Sequence, residues 1–349
     1  MTKKRHELDA ADGISAARRQ FLRRTGRAGL LALGAPALAA NWAAEAYGAA
    51  ARSYIGGRYG LELDGAFAGL LTGFSGGNAT GDVIKEKSNQ DFVQRKHLGS
   101  VRVEPVSIET QLPMPRSFYD WIKSSIEPRP RFLRKNGAIV EFDMSNREVG
   151  RRNFFNALIT EVEFPSCDGS SKDQARLAVT FSPETVRLGP SKGAPLPLQS
   201  RQMAHLLRSN FRLRIQGLEQ ATVRTSKIES IEVKVATAET GAGKAGVYSA
   251  QPGAIEVPNL VITVADSSAA PFYAWHEDFV LKGNNGQDRE RPGVLEYLSA
   301  DLKTVLLALN FFNLGIYKVA PDTPSGPQDT LRRSKVEMYC EAVTADFRI

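Results

Sequence analysis

The sequence predicts a mainly β protein built from two tandem β-sandwich or small β-barrel domains, each with one flanking helix. The first observation behind this is an internal copy. Residues 103–126 (VEPVSIETQLPMPRSFYDWIKSSI) and 257–280 (VPNLVITVADSSAAPFYAWHEDFV) both read as an alternating β-branched strand, a polar break, and an aromatic segment of helical character. Val106 falls on Leu260, Ile108 on Ile262 and Trp121 on Trp275, all at an offset of 154. The second is that the copy extends beyond that core. Gly65 after Leu61-Glu-Leu-Asp answers Gly217 at 152, and Val140-Glu-Phe answers Leu295-Glu-Tyr at 155. Phe154-Phe-Asn answers Phe311-Phe-Asn at 157, and residues 178–181 answer 337–340 at 159. A slow drift in one direction is what small loop insertions between fixed strands produce. The third is composition: 349 residues, 42% apolar and 24% charged, leave room for two cores of about 140 residues each.

Four segments follow: an N-terminal signal or arm over 1–50, a first β domain over 51–188, a Pro/Gly linker with a prelude helix over 189–207, and a second β domain over 208–349. In the first segment, Arg18-Arg19-Gln20-Phe21-Leu22 precedes a mild apolar run, 28–40, and Ala37-Leu38-Ala39. Paired arginines, apolar run and small-x-small site in that order resemble a twin-arginine export signal. The alternative is a basic arm ordered only in an assembly. The run is too short for a transmembrane span.

The first domain opens on a strand ending at Asp64-Gly65. A glycine-rich excursion, 69–81, and a charged continuation to His97 follow, with no expected counterpart in the second copy, which has a Gly/Ala-rich loop over 240–252. Next come the shared strand and helix, a strand over 137–143 with the turn Ser145-Asn146, one around Phe154, one over 161–164, and a closing strand over 175–181. The segment 189–198, GPSKGAPLPL, is a linker by composition. An amphipathic prelude over 202–208 leads into a strand over 210–215. Residues 302–309 are read as leading into the Phe311-Phe312 strand, and 336–340 with its continuation to Phe347 ends the chain.

The formal charge of +7 is concentrated at the start: residues 1–50 hold eight basic and four acidic side chains, so about 300 residues share the remaining +3. That is no electropositive footprint for sequence-specific nucleic-acid binding. Cys167 and Cys340 have no zinc-ligand spacing. Cys340 aligned with Phe181 reads as a small buried hydrophobe.

Gly73-Phe74-Ser75-Gly76-Gly77 matches the G-x-S-x-G nucleophile elbow, in which the serine sits on a strained turn from strand to helix. Here Gly-Gly-Asn-Ala-Thr-Gly follows Ser75 and cannot nucleate a helix, so a glycine-rich loop is the reading. Gly241-Ala-Gly-Lys244 lacks the first glycine and the hydroxyl residue of a phosphate loop. His276 beside Glu277 and Asp278 faces Ile122 in the other copy. His97 and His205 lie apart in a charged loop and the prelude. Trp121, Trp275, Phe118 and Phe272 repeat with the domain and read as core anchors. No catalytic, cofactor or metal site is expected, and no cofactor.

Strand ending in x-Gly, long loop, alternating strand, aromatic-Trp helix, strand, Phe-Phe-Asn strand and final strand resemble, in this order, the tail tube proteins of contractile phages and phage-tail-like injection systems. Residues 61–65, 103–121, 154–157 and 161–164, with 252–253, 260–275 and Asn313, carry the resemblance. It implies a non-enzymatic structural subunit whose β domains join edge to edge into stacked, hollow rings, with sheath- and baseplate-type partners in the same particle. Six domains per ring imply three of these chains. The resemblance also implies assembly in a bacterial cell, with export if the signal acts. The alternatives are an exported β-sandwich binding protein and, more remotely, an exported serine hydrolase.

Overall fold

The computed structural model describes residues 57–86, 94–197, 206–240, 249–322 and 332–348. The Arg18-Arg19 signal, His205 and the Gly241-Lys244 segment lie outside them.

The chain folds into two β domains, one closed into a barrel and one nearly closed. In the first, β1 (Arg58–Leu63) turns at Asp64-Gly65 into β2 (Ala66–Gly76). Both turn residues have positive φ, 49° and 85°. That is the two-residue hairpin geometry for which Asp-Gly is suited. Then come the hairpin β3 (Ala79–Glu86) with β4 (Arg95–Val103), β5 (Val106–Thr110), helix α1 (Arg116–Ile126) and β6 (Lys135–Phe142). A 17-residue strand β7 (Glu148–Phe164), the short β8 (Cys167–Asp168), β9 (Leu177–Ser182) and β10 (Thr185–Gly189) complete it. Antiparallel pairing runs β1–β2–β5–β9–β7–β6 and back to β1. Closure removes the sheet edges that an open sheet would have to cover.

The second domain repeats the order. It has β11 (Phe211–Ile215), the one-turn helix α2 (Glu219–Thr222), β12 (Thr225–Ile228), and the hairpin β13 (Ile231–Thr240) with β14 (Ser249–Glu256). They are followed by β15 (Leu260–Ala265), α3 (Ala270–His276), β16 (Arg291–Leu298), β17 (Val305–Asp322), β18 (Arg333–Tyr339) and β19 (Ala342–Phe347). Here β11 and β12 do not pair. α2 stands between them in sequence, and β12 takes β8 of the first domain instead.

The two long strands organise both domains. Each carries a left-handed asparagine, Asn156 at φ 54° and Asn313 at φ 56°, in the shared Phe-Phe-Asn. Asparagine tolerates that conformation better than other residues with a Cβ. At this bend each strand changes partners. Before it, β7 lies between β6 and β10, and β17 between β16 and β19. After it, β7 lies between β9 and β13, whereas β17 pairs with β18.

The register corrects four expectations. The strand around Phe154 and the strand over 161–164 are one strand, because a single left-handed residue bends the ladder without ending it. The first copy closes with β10 rather than at Phe181. Phe181 corresponds to Met338, not Cys340, since Ile159 pairs with Phe181 as Ile316 pairs with Met338. The glycine-rich excursion is strand and hairpin, and it has a counterpart. Thr80 pairs with Arg102 as Lys234 does with Glu256, and Val83 with Leu98 as Thr237 does with Pro252. The offset is 154 on both strands, through the same bulge.

The linker also differs from expectation. Its described part is tied down: the Glu148 N–H donates to the Ala194 carbonyl at 2.9 Å and the Leu196 N–H to the Asn146 carbonyl at 2.7 Å. Leu207 forms a bridge with Gln174 where the prelude helix was expected, while 202–205 lie outside the described residues.

Periodicity places the core. In α1 the buried Phe118, Trp121, Ile122 and Ser125 form the i, i+3, i+4, i+7 stripe of a helix packed on a sheet. Trp121 lies 5.3 Å from Phe181, which lies 4.8 Å from Phe154. One apolar cluster runs from Leu61 through Ala345 and so spans both domains. Phe347 stacks on Tyr119 at 4.0 Å, and the buried Tyr297 hydroxyl donates to the Pro165 carbonyl at 2.7 Å.

Candidate functional site

The residues singled out for chemistry are dispersed. Ser75 is an exposed residue within β2, paired with Ser107 of β5, so the G-x-S-x-G letters do not form a strand-to-helix elbow. Gly76 and Gly77, at φ 79° and 72°, carry the chain out of β2 into the hairpin. A Cβ on Gly76 would sit 1.9 Å from the Pro105 carbonyl oxygen, which is why glycine stands there. His97 lies on β4, 3.8 Å from Glu86, and His276 ends α3. Among the described residues no group of three or more His, Cys, Asp or Glu is placed to hold a metal ion. Cys167 and Cys340 are buried, and burial pushes their thiols up to about 12 and about 11, away from thiolate reactivity.

What the fold does bring together is an interface between β domains. The hairpin β13–β14 of the second domain adds to the outer side of β7 past its bend. Ile231 pairs with Phe164, Glu232 with Glu163, Val233 with Val162 and Lys234 with Glu161. Ile231 and Val233 are buried there. Lys234 neutralises the acidic side chains gathered along this seam, at 3.1 Å from Glu232 and 4.0 Å from Glu161. Burial, with Glu232 as the second cause, holds the Glu161 carboxyl above its ordinary range. Further along, Arg134 donates to the Asn156 and Ala250 carbonyls and pairs with Glu184 at 3.4 Å, while the Ser249 hydroxyl donates to Glu184. Arg134 and Glu184 thus clamp β14 against the first domain. Sequence reading missed both. Their signal is weak: both flank the repeated strands, and Glu184 recurs as Glu341, but Arg134 is answered by Glu290.

The first domain's hairpin, β3–β4, has the same strand register and a different fate. It forms a separate two-stranded sheet. Every described residue of β3 is exposed, and Val83, Ile84, Leu98 and Val101 expose 44–66% of their surface. An isolated two-stranded ribbon is marginal in water, and a cluster of exposed branched residues on one marks a contact surface. The matching feature lies in the second domain. Over Gly315–Asp322, β17 pairs with β18 on one side. The other side, where β7 receives β13, receives no described strand.

No family model and no curated protein sequence matches the chain. Solved structures that resemble it are a chain of the extracellular contractile injection system PVC sheath/tube terminator in its extended state, a chain of the PVC sheath–tube complex in its extended state, and a chain of the anti-feeding prophage cap, the AFP tube-terminating cap. The first shares 20% identity over 40% of this chain and 98% of that chain, with a TM-score of 0.35. The second shares 19% over 42% and 95%, with a TM-score of 0.34. The third shares 20% over 41% and 95%, with a TM-score of 0.35.

Proposed function

We propose that this chain is a non-enzymatic structural subunit of a phage-tail-like tube, its two β domains (51–188 and 208–349) being successive units of a ring that stacks into a hollow tube. The observation that carries this reading is the joint between the domains. β13 continues the first domain's ladder across the domain boundary, so one β domain already receives another edge to edge within the chain. Repeating a heterologous joint of this kind generates a closed ring when its rotation closes. Partners in such a particle are sheath- and baseplate-type proteins. Six domains per ring correspond to three chains with pseudo-sixfold symmetry.

Electron microscopy of the purified chain at high concentration is expected to show stacked rings of constant diameter, and native mass measurement a smallest closed ring of three chains. A chain that stays monomeric at micromolar concentration would instead be the exported β-sandwich binding protein. A hexamer of chains with unbroken sixfold symmetry would sink the three-chain ring. The twin arginines, in this reading, address the particle or its subunit for export. Arg18→Lys combined with Arg19→Lys keeps the charge and is expected to hold the chain in the cytoplasm. Identical partition of variant and wild type between cell fractions would make residues 1–50 an assembly arm.

A further inference from the structure

From the duplication we infer the contact between chains: the hairpin β3–β4 of one copy adds to the outer edge of β17, past Asn313, in the next copy, as β13–β14 adds to β7 within each chain. The inference rests on the ring reading above and assigns its interface residue by residue.

Both halves of the contact have an occupied counterpart in the same molecule. At the offset of 154, Asn78, Ala79 and Thr80 correspond to Glu232, Val233 and Lys234, which pair with Glu163, Val162 and Glu161. At the offset of 157, those three partners correspond to Ala320, Val319 and Lys318 on β17. The register between chains is therefore Asn78 opposite Ala320, Ala79 opposite Val319 and Thr80 opposite Lys318. Adding a ribbon to an edge that no described strand covers satisfies backbone donors and acceptors on both.

Charge points to the same pairing and distinguishes it from the joint within the chain. Ser249 and Ala250 of the docked hairpin correspond to Arg95 and Lys96 of the free one, by the shared pairing of Glu86 with Arg95 and of Thr240 with Ser249. Glu184, which receives Ser249, corresponds to Glu341, and Arg134 corresponds to Glu290, the residue before β16 as Arg134 is the residue before β6. The receiving surface thus changes from one cation and one acid to two acids where the incoming hairpin gains two cations. Glu290 accepts from the Tyr339 hydroxyl at 2.6 Å through one oxygen, and its other oxygen is buried with no hydrogen-bond partner among the described residues. Glu341 accepts from Asn313 at the bend itself. A buried carboxylate oxygen left unpaired is costly, and a lysine or arginine from the neighbouring hairpin supplies its donor. The mismatch also sets the order of assembly. A basic hairpin is directed to the acidic edge of another chain, and the hairpin β13–β14, whose strands carry three acids and one lysine, stays on its own.

The test uses the full-length chain in two ways. Arg95→Glu with Lys96→Glu, or Glu290→Lys with Glu341→Lys, is expected to weaken ring formation by about tenfold or more, with melting of the subunit followed as a check on folding. The four changes together in one chain restore ring formation. Independently, a chain carrying Asn78→Cys mixed with one carrying Ala320→Cys is expected to give an oxidised heterodimer that neither gives alone. The natural cysteines are buried. Rings of wild-type chain without that heterodimer, or charge reversals that leave rings intact, overturn this contact and leave the tube reading standing. A four-fold variant that assembles no better than either half also overturns it. A wild-type chain that forms no ring at all overturns both.

Discussion

Replacing Trp121 with alanine is expected to destabilise the chain by about 3–5 kcal/mol, the range for deleting a fully packed large aromatic and leaving its cavity. Trp121 is fully buried, packs on Phe181 and donates its indole N–H to the Leu133 carbonyl at 2.8 Å. The substitution therefore also removes this hydrogen bond. Trp275 occupies the equivalent place without the same bonds. Its indole N–H is buried and has no hydrogen-bond partner among the described residues, and its ring lies under the Arg291 guanidinium at 5.0 Å. Sequence reading treated the two as equal anchors; the structure makes Trp121→Ala the costlier change. The reason is local. Phe279 stands where the first copy has Ser125, 6.1 Å from Trp275, and the helix gives way there to a wider turn over Glu277–Leu281. Chemical denaturation checks both variants, and equal shifts of the two midpoints would count against this ranking. Because the apolar cluster and the β13–β7 ladder are continuous across the domains, a single transition is expected in place of the two separate steps that tandem domains suggest.

Arg151→Met is expected to cost about 3–5 kcal/mol, since it leaves two acids buried without their cation. The guanidinium binds both oxygens of Glu62, at 2.6 and 2.7 Å, and both oxygens of Glu148, at 2.9 and 3.1 Å. The side chains of Arg151 and Glu148 are 6% and 3% exposed, so water does not screen the cluster. Adding Glu62→Gln and Glu148→Gln to Arg151→Met is expected to recover most of the loss, because no uncompensated buried charge then remains; Lys192, 3.8 Å from Glu62, is exposed to water. The cluster also sets an acid limit. The Arg151 hydrogen bond holds the Glu62 carboxyl below the usual carboxylate range. A carboxyl lowered in the native state binds its proton more readily when unfolded. Its contribution is therefore present in full above about pH 4.5 and is lost as pH falls through the lowered native value. Acid titration of stability should show a steeper fall below pH 4.5 in the wild type than in Glu62→Gln, and parallel curves would refute the linkage.

Much of the fold was legible in the chain because repeats constrain one another. An alternating strand or a Phe-x-x-Trp stripe that recurs at one offset is read twice, so residues 106–110 with 260–265, and Phe118-Trp121 with Phe272-Trp275, were placed from periodicity and copying alone. The Phe-Phe-Asn pair was visible too, but its role was not. Whether an asparagine ends a strand or bends it depends on the strands available on either side, which are β13 and β9 for Asn156, far away in sequence. The hairpins were missed for a related reason. Gly-Asp-Val-Ile-Lys at 81–85 and Val-Ala-Thr-Ala-Glu at 235–239 share no residue at matching positions, and only backbone register reveals them as equivalent.

The sequence by itself determined the mainly β character, the helix that carries each tryptophan and the location of the excess positive charge at the start of the chain. Local periodicity and side-chain type decide these, and they act within a few residues. Tertiary structure alone decided that the first domain closes while the second closes only nearly, that β13 mates with β7, and that no described strand covers the outer edge of β17 past Asn313. Each of these depends on long-range backbone pairing, whose hydrogen bonds are the same for every residue type and so leave no mark in the sequence.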